Sequence, residues 1–321
     1  MPDVSRRSIL KGSCIATGGL LAGCIEGLGG GGSSSNLRIK TSSQSGTHYA
    51  FSSPVPELLN EHSKNPTLEA TVSTSEGSVA NMRAVHEENS EMGTSVDTVL
   101  WLAYNGTGAF SKELDVRTVM RASIAPLYHV VREGSDIETV QDLEGKTVTA
   151  GEAGSGTLGQ HQGYMEELGV DVEYQNMSYT EGGRAIRDGD VDAWWIFHSP
   201  ISQNAFAAAP DSLRVLGFTD SELQTLLEAF PYSDDTELTP DRLQGVDETK
   251  QVIGASSYWV THPDIDTDVI KEFTRVVLEN PEAIQEANQN SSRFGSDFAY
   301  FDLGVPYHEG AMEYFEEAGI V

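Results

Sequence analysis

The spacing of apolar residues constrains this chain most. Short β-rich runs alternate with stretches of helical period, in two successive sets. In the first set, 37–41, 69–73, 91–96 and 114–125 read as strands, and 49–63, 78–88 and 99–104 as helices. The second set opens with strand 127–131 and continues through strand 146–150, helix 156–168, strand 172–176, helix 182–188 and strand 193–197. The acidic, Pro-bearing stretch 231–249 reads as surface loops, and strand 252–261 with helices 268–279, 281–289 and 308–318 closes the chain. Such alternation predicts an α/β fold with largely parallel strands. Two α/β domains are expected, 36–126 with 252–321 and 127–251, joined by crossing strands with a ligand cleft between them.

The first 35 residues follow other rules. Arg6-Arg7 precede a short apolar stretch that ends in Leu21-Ala22-Gly23-Cys24. That stretch is shorter than the roughly 20 residues a membrane-spanning helix needs. Twin arginines, apolar run and Leu-Ala-Gly-Cys, in that order, read as a twin-arginine lipoprotein signal over 1–23, with Cys24 as the lipidated residue. The Gly/Ser segment that completes 24–35 is a flexible tether. The expected location is extracytoplasmic, on the outer face of the cell membrane, anchored through Cys24. Cys14 and Cys24 are the two cysteines, so the folded body has no disulfide framework and no Cys-based metal or redox site.

Charge removes further classes of function. Asp and Glu number 49 against 20 Lys and Arg, a formal net charge of −29. Such a surface repels phosphate backbones, so no nucleic-acid partner is expected. It suits concentrated salt, where the Debye length falls to about 3 Å at 1 M.

Four loops place glycines and hydroxyls where a strand hands over to a helix: 45–49, 73–78, 151–157 and 197–200. A helix start offers unpaired N–H groups and about half a positive charge, hydroxyls add donors, and glycines let a ligand approach the backbone. The same residues serve as ordinary N-caps. Gly154, Gly156 and Gly159 have dinucleotide-loop spacing, but no phosphate-holding Lys follows. His48, His129 and His198 lie on separate segments without metal-ligand spacing, so no metal or cofactor is expected. Trp194 and Trp195 alternate on a strand, one expected in the core and the other walling the cleft. Asp188, Asp190 and Asp192 read as a turn, and no Gly-x-Ser-x-Gly elbow occurs.

A resemblance emerges from these segments. Gly46-Thr47-x-Tyr49, Gly77-Ser78-Val79-x-Asn81, Asp97 and Ala103-Tyr104-Asn105-Gly106 come first. Leu127-x-His129-Val130-Val131-Arg132, Gly154-Ser155-Gly156-Thr157, Asp188-Gly189-x-Val191-Asp192-Ala193 and Tyr307-His308-Glu309-Gly310-Ala311 follow in order. Over 37–321 this resembles the TAXI family, the extracytoplasmic solute receptors of TRAP transporters. The resemblance implies a type II periplasmic-binding-protein fold. It also implies a non-enzymatic receptor that captures a small organic anion, a glutamate-like amino acid or carboxylate, and delivers it to TRAP membrane subunits. The ligand-binding residues it implies, together with the loops, are Gly46, Thr47, His48, Tyr49, Ser75, Gly77, Ser78, Asp97, Tyr104, Ser155, Gly156, Thr157, Trp194 and Ser199. The chain departs from the family pattern at His48, Glu76, Ser95-Val96 and His198-Ser199-Pro200, all near the expected pocket, so its ligand can differ from the usual one. A receptor for an ABC importer shares fold and address, and a secreted hydrolase is the alternative from another class.

Overall fold

The computed structural model describes residues 35–44, 46–153, 155–209, 212–244, 246–288 and 294–321. The expected signal sequence, Cys24 and most of the tether lie outside them. In the first half β1 (Ser35–Lys40) leads to α1 (Thr47–Ser52) and α2 (Val55–His62), β2 (Leu68–Ser73) to α3 (Ser78–His86), and β3 (Met92–Val96) to α4 (Asp97–Tyr104). The long strand β4 (Arg117–Arg132) crosses to the second half. There β5 (Thr147–Thr149) leads to α5 (Gly156–Leu168), β6 (Glu173–Tyr174) to α6 (Tyr179–Asp188), and β7 (Ala193–Phe197) to α7 (Pro200–Ala208). After β8 (Leu213–Leu216), α8 (Asp220–Ala229) and β9 (Asp234–Leu238), strand β10 (Lys250–Thr261) crosses back to α9 (Thr267–Glu279), α10 (Pro281–Ala287) and α11 (Glu309–Glu317).

The strands form one sheet in the order β2-β1-β3-β10-β4-β7-β5-β6, with β8 beside β4 and β9 beside β10. β1 runs parallel to β2 and β3, and β5 runs parallel to β6 and β7. The antiparallel pair β4 and β10 joins the two sets. Register fixes where the sets end. The carboxyl end of β3 meets β10 at Ser257, which pairs with Ser123 of β4, whereas the carboxyl end of β7 meets β4 at Leu127. The two sets therefore point at each other across about 13 Å of crossing strand, at roughly 3.3 Å per residue. Four apolar clusters flank the sheet. Two draw on residues 37–122 and 258–320, and two on residues 127–255.

Three expectations from sequence need correction. The helix expected over 49–63 is broken into α1 and α2, because Pro54 caps α2 and Pro56 follows in its first turn, and neither supplies a helical N–H. Strands expected at 114–125 and 127–131 are one strand. Pro126 brings no N–H to the ladder, but its carbonyl accepts from His198 N at 2.7 Å and the strand runs on. The stretch 231–249, expected as surface loops, contains β9, and Tyr232, Leu238, Leu243 and Val246 are buried. Its exposed acidic residues cover only one side of it. From sequence no element is assigned to 200–229, where α7, β8 and α8 stand.

Candidate functional site

The facing carboxyl ends of the two strand sets define the site. In the first half Gly46 caps α1, and a Cβ there would meet Ser42 Oγ at 2.3 Å. Ser42 Oγ accepts from Tyr49 N at 3.3 Å, so the loop closes tightly on itself. His48 is buried, with Nε2 3.1 Å from Ser257 Oγ on β10. Burial pushes its pKa down to about 4, which keeps the ring neutral. Gly77 has φ +108°, a backbone region that side chains disfavour, and places Ser78 so that its Oγ accepts from Val96 N at 3.2 Å.

One buried amide organises these loops. Asn81 Nδ2 donates to the carbonyls of Thr41 (2.6 Å) and Thr94 (2.8 Å), and its Oδ1 lies 2.6 Å from Ser75 Oγ. The ends of β1, β2 and β3 are thus tied to one side chain on α3. Asp97, at the start of α4, is 2% exposed. It accepts from Ser256 N on β10 at 2.7 Å and from Thr98 N at 2.6 Å. Burial outweighs these donors and raises its pKa to about 7.

In the second half Ser155 caps α5, its Oγ accepting from Leu158 N at 3.3 Å. Thr157 Oγ1 lies 2.5 Å from the hydroxyl of Tyr179, whose ring packs edge-on against Phe197 at 5.4 Å. Ser199 caps α7. Beside it Tyr128 donates to Ser202 Oγ at 3.0 Å and stands 3.4 Å from His198 Nδ1. Gln203 Nε2 lies 3.0 Å from His198 Nε2. Burial, with a smaller push from the charge of half-buried Arg242, holds His198 near a pKa of about 4. Gln160 of α5 donates to Thr98 Oγ1 of α4 at 3.4 Å, linking the two halves beside the gap.

Gly46, Thr47, His48, Tyr49, Ser75, Gly77, Ser78 and Asp97 therefore sit at the carboxyl ends of β1, β2 and β3. Ser155, Gly156, Thr157 and Ser199 sit at those of β5 and β7, on the facing side. Ser45 and Gly154 lie outside the described residues. Three expected site residues stand elsewhere or are engaged. The Ser75 hydroxyl is held by Asn81 and the Thr41 carbonyl inside its own loop. Tyr104 ends α4, about 10 Å along the helix from Asp97 at 1.5 Å per residue. Trp194 and Trp195 are both 0% exposed, on opposite faces of β7. Gly182 and Gly183 of α6 lie against Trp194, where an added Cβ would meet the indole, and with both rings fully buried neither Trp walls the gap.

Sequence reasoning named Asn81 only within the family motif, without a role, and passed over Tyr179, His161 and Arg242. Arg242 gives no local signal, because its acidic neighbours make its segment read as loop. Tyr179 was findable, since Ser178 and Glu181 form a capping box at its helix start. Among the described residues no three His, Cys, Asp or Glu side chains form a metal-ligand set. Nor, among them, is any helix long and apolar enough to cross a membrane.

The helix starts differ in charge. α1, α3, α5 and α7 carry no acidic residue in the first turn. Each of the others does: Glu57, Asp97, Glu181, Asp220 with Glu222, Asp268, Glu282 and Glu309 for α2, α4, α6, α8, α9, α10 and α11. The four acid-free starts follow the four loops at the site.

A family model described as the NMT1-like family matches residues 39–319. Among solved structures, a TctC solute binding protein from Polaromonas superposes with a TM-score of 0.55 at 14% identity, over 89% of this chain and 95% of that one. The periplasmic aliphatic sulphonate binding protein SsuA from Escherichia coli gives 0.50 at 16% identity, over 88% and 79%. MatC from Rhodopseudomonas palustris, with bound malate, gives 0.50 at 10%, over 79% and 88%. At such identities the likeness is one of fold, the mixed α/β architecture of periplasmic binding proteins.

Proposed function

The chain belongs to the NMT1-like family, and from that premise we propose that it is an extracytoplasmic solute receptor. It captures a small organic anion between the carboxyl ends of β1–β3 and those of β5–β7, and delivers it to membrane subunits of a transporter. The observation that carries this is the charge pattern of the helix starts. Acidic residues stabilise a helix start by about 0.3–1 kcal/mol each, and seven helices of this acidic chain use them. Six helices start at these strand ends; α4 and α6 carry Asp97 and Glu181, while α1, α3, α5 and α7 leave that field open to an incoming carboxylate or sulphonate. A sulphonate-binding protein and a malate-bound protein among the structural neighbours support the ligand class.

In its finer form the proposal is a TAXI-type TRAP receptor, supported by the motifs over 37–321. A receptor for an ABC importer is the second reading, favoured by the likeness to SsuA. The division of the core into clusters from 37–122 with 258–320 and from 127–255 supports two domains, 36–126 with 252–321 and 127–251, closing on the ligand. Arg6-Arg7 and Cys24 support twin-arginine export and a lipid anchor on the outer face of the cell membrane, and the net charge of −29 supports a salt-rich setting.

Titration calorimetry with L-glutamate, malate and ethanesulphonate, beside identification of whatever small molecule co-purifies, tests the function. A hydrogen bond to a charged acceptor contributes about 1.5–3 kcal/mol, so Thr157→Ala weakens binding roughly 10- to 100-fold. Absence of any co-purifying anion, with no saturable binding across the panel, refutes the reading.

A further inference from the structure

Away from the gap, two imidazoles meet in the core of the second half. His129 lies on β4 and His161 on α5, four residues beyond Thr157. Their Nε2 atoms are 2.7 Å apart, and His161 Nδ1 is 2.8 Å from the hydroxyl of Tyr174 on β6. Both histidines are 0% exposed. The Trp195 ring lies 4.6 Å from His129 and 5.3 Å from His161, and Phe218 lies 5.9 Å from His129.

At 2.7 Å only one Nε2 carries a proton, since two N–H groups would collide. The neighbours decide which. If His161 Nε2 were the donor, His129 Nδ1 would hold an N–H with no partner, the costliest arrangement in a dry core. With His129 Nε2 donating, His161 Nδ1 donates onward to the Tyr174 oxygen and only a lone pair on His129 Nδ1 is left over. A further proton must go to that lone pair, where no acceptor meets it and no water reaches. Among the described residues, the titratable groups beside the pair are Tyr174, bonded to His161, and Tyr164, packed on the same Trp195; burial holds both hydroxyls above the ordinary range, so neither offers a counter-charge. Burial likewise pushes His129 down to about 3 and His161 well below the ordinary imidazole value.

We propose that the His129–His161 bond is a positioning element that ties α5, and with it the turn at Ser155–Thr157, to the crossing strand β4, and that the pair takes up a proton only when α5 opens, so that acid undoes this tie. The pair thereby links acidity to the order of one wall of the gap. That this wall meets a ligand rests on the function proposed above; the tie itself does not.

Hydrogen exchange of the intact protein between pH 7 and pH 4.5, corrected for the intrinsic pH dependence of exchange, tests it. Opening of α5 rises about tenfold per histidine for each pH unit below roughly 6.5, whereas α9 in the first half stays flat. In His129→Phe/His161→Leu the α5 response is flat. In His161→Gln, which keeps a partner for His129 Nε2, the slope halves. If the double variant does not fold, His161→Gln alone decides. A flat wild-type response, or a variant slope equal to the wild-type one, overturns the proposal. A wild-type slope in a protein that binds none of the three anions leaves the tie standing and removes the receptor reading instead.

Discussion

Replacing Asn81 by Asp changes two donors and almost no volume. Asn81 is 0% exposed, and its amide nitrogen is the group that reaches the carbonyls of both Thr41 and Thr94. A carboxylate there faces two carbonyl oxygens at hydrogen-bond distance with nothing to donate. Each buried bond lost with its partner left behind costs about 1–3 kcal/mol, so the variant loses about 2–6 kcal/mol at pH 7. At about 2–4 °C per kcal/mol for a body of this size, the melting temperature falls roughly 4–24 °C. The sign with pH is fixed as well. The repulsion raises the folded pKa of the new carboxyl above its unfolded value near 4, so the deficit shrinks as pH falls and one donor returns. Thermal melts at pH 7 and pH 5, beside Asn60→Asp as an exposed control carrying the same charge, read both effects. A melting temperature within 2 °C of the control, or a deficit that grows in acid, refutes the view that this amide holds the three strand ends.

Gly46→Ala places a methyl 2.3 Å from Ser42 Oγ, a clash worth about 1–3 kcal/mol. Thermal melts should show that cost, and adding Ser42→Ala should return part of it. Asp97, raised to about 7 by burial, binds its proton more tightly folded than unfolded, so its share of stability is present below pH 4 and lost as pH rises towards 7. That slope amounts to about 4 kcal/mol at most. Urea unfolding at pH 4.5 and pH 7.5 should show it in the wild type and not in Asp97→Asn; equal slopes remove the argument.

Much of this architecture is local enough to read from sequence. Helix α5 spans 156–168 as its spacing predicts, because Ser155 caps one end and Gly169, at φ +67°, closes the other. Strand β7 likewise keeps its expected bounds. What escapes is non-local. β9 is a strand because β10 pairs with it, and its acidic sequence reports only the side that faces solvent. Trp194 leaves the gap because Gly182 and Gly183 let α6 settle on its ring, a fit between segments twelve residues apart in sequence. His129 and His161 meet across 32 residues with no periodic signal between them. The break in the first expected helix is a different failure: Pro54 and Pro56 stood in plain view, and apolar spacing alone ran through them.

How an anion would bind a chain of net charge −29 depends on distance. Charges beyond a Debye length, about 8 Å at physiological ionic strength, are largely screened, so the many carboxylates of the outer surface count for little at the gap. A carboxylate in the first turn of a helix facing the gap is another matter. At 4 Å it repels a bound anion by about 1 kcal/mol even with the dielectric of water, and by about 4 kcal/mol at the value typical near a protein surface. One such residue cancels a whole charged hydrogen bond. The hydroxyls at these turns are ambiguous, because Ser155 and Ser199 are occupied as helix caps. The acids missing from α1, α3, α5 and α7 are not ambiguous in the same way. Asp97, the acid that starts α4 at the gap, accepts from Ser256 N and Thr98 N and is raised by burial to a pKa of about 7. Capping gains from Asp and Glu, as seven helices here demonstrate, and a binding site for an anion is what loses from them.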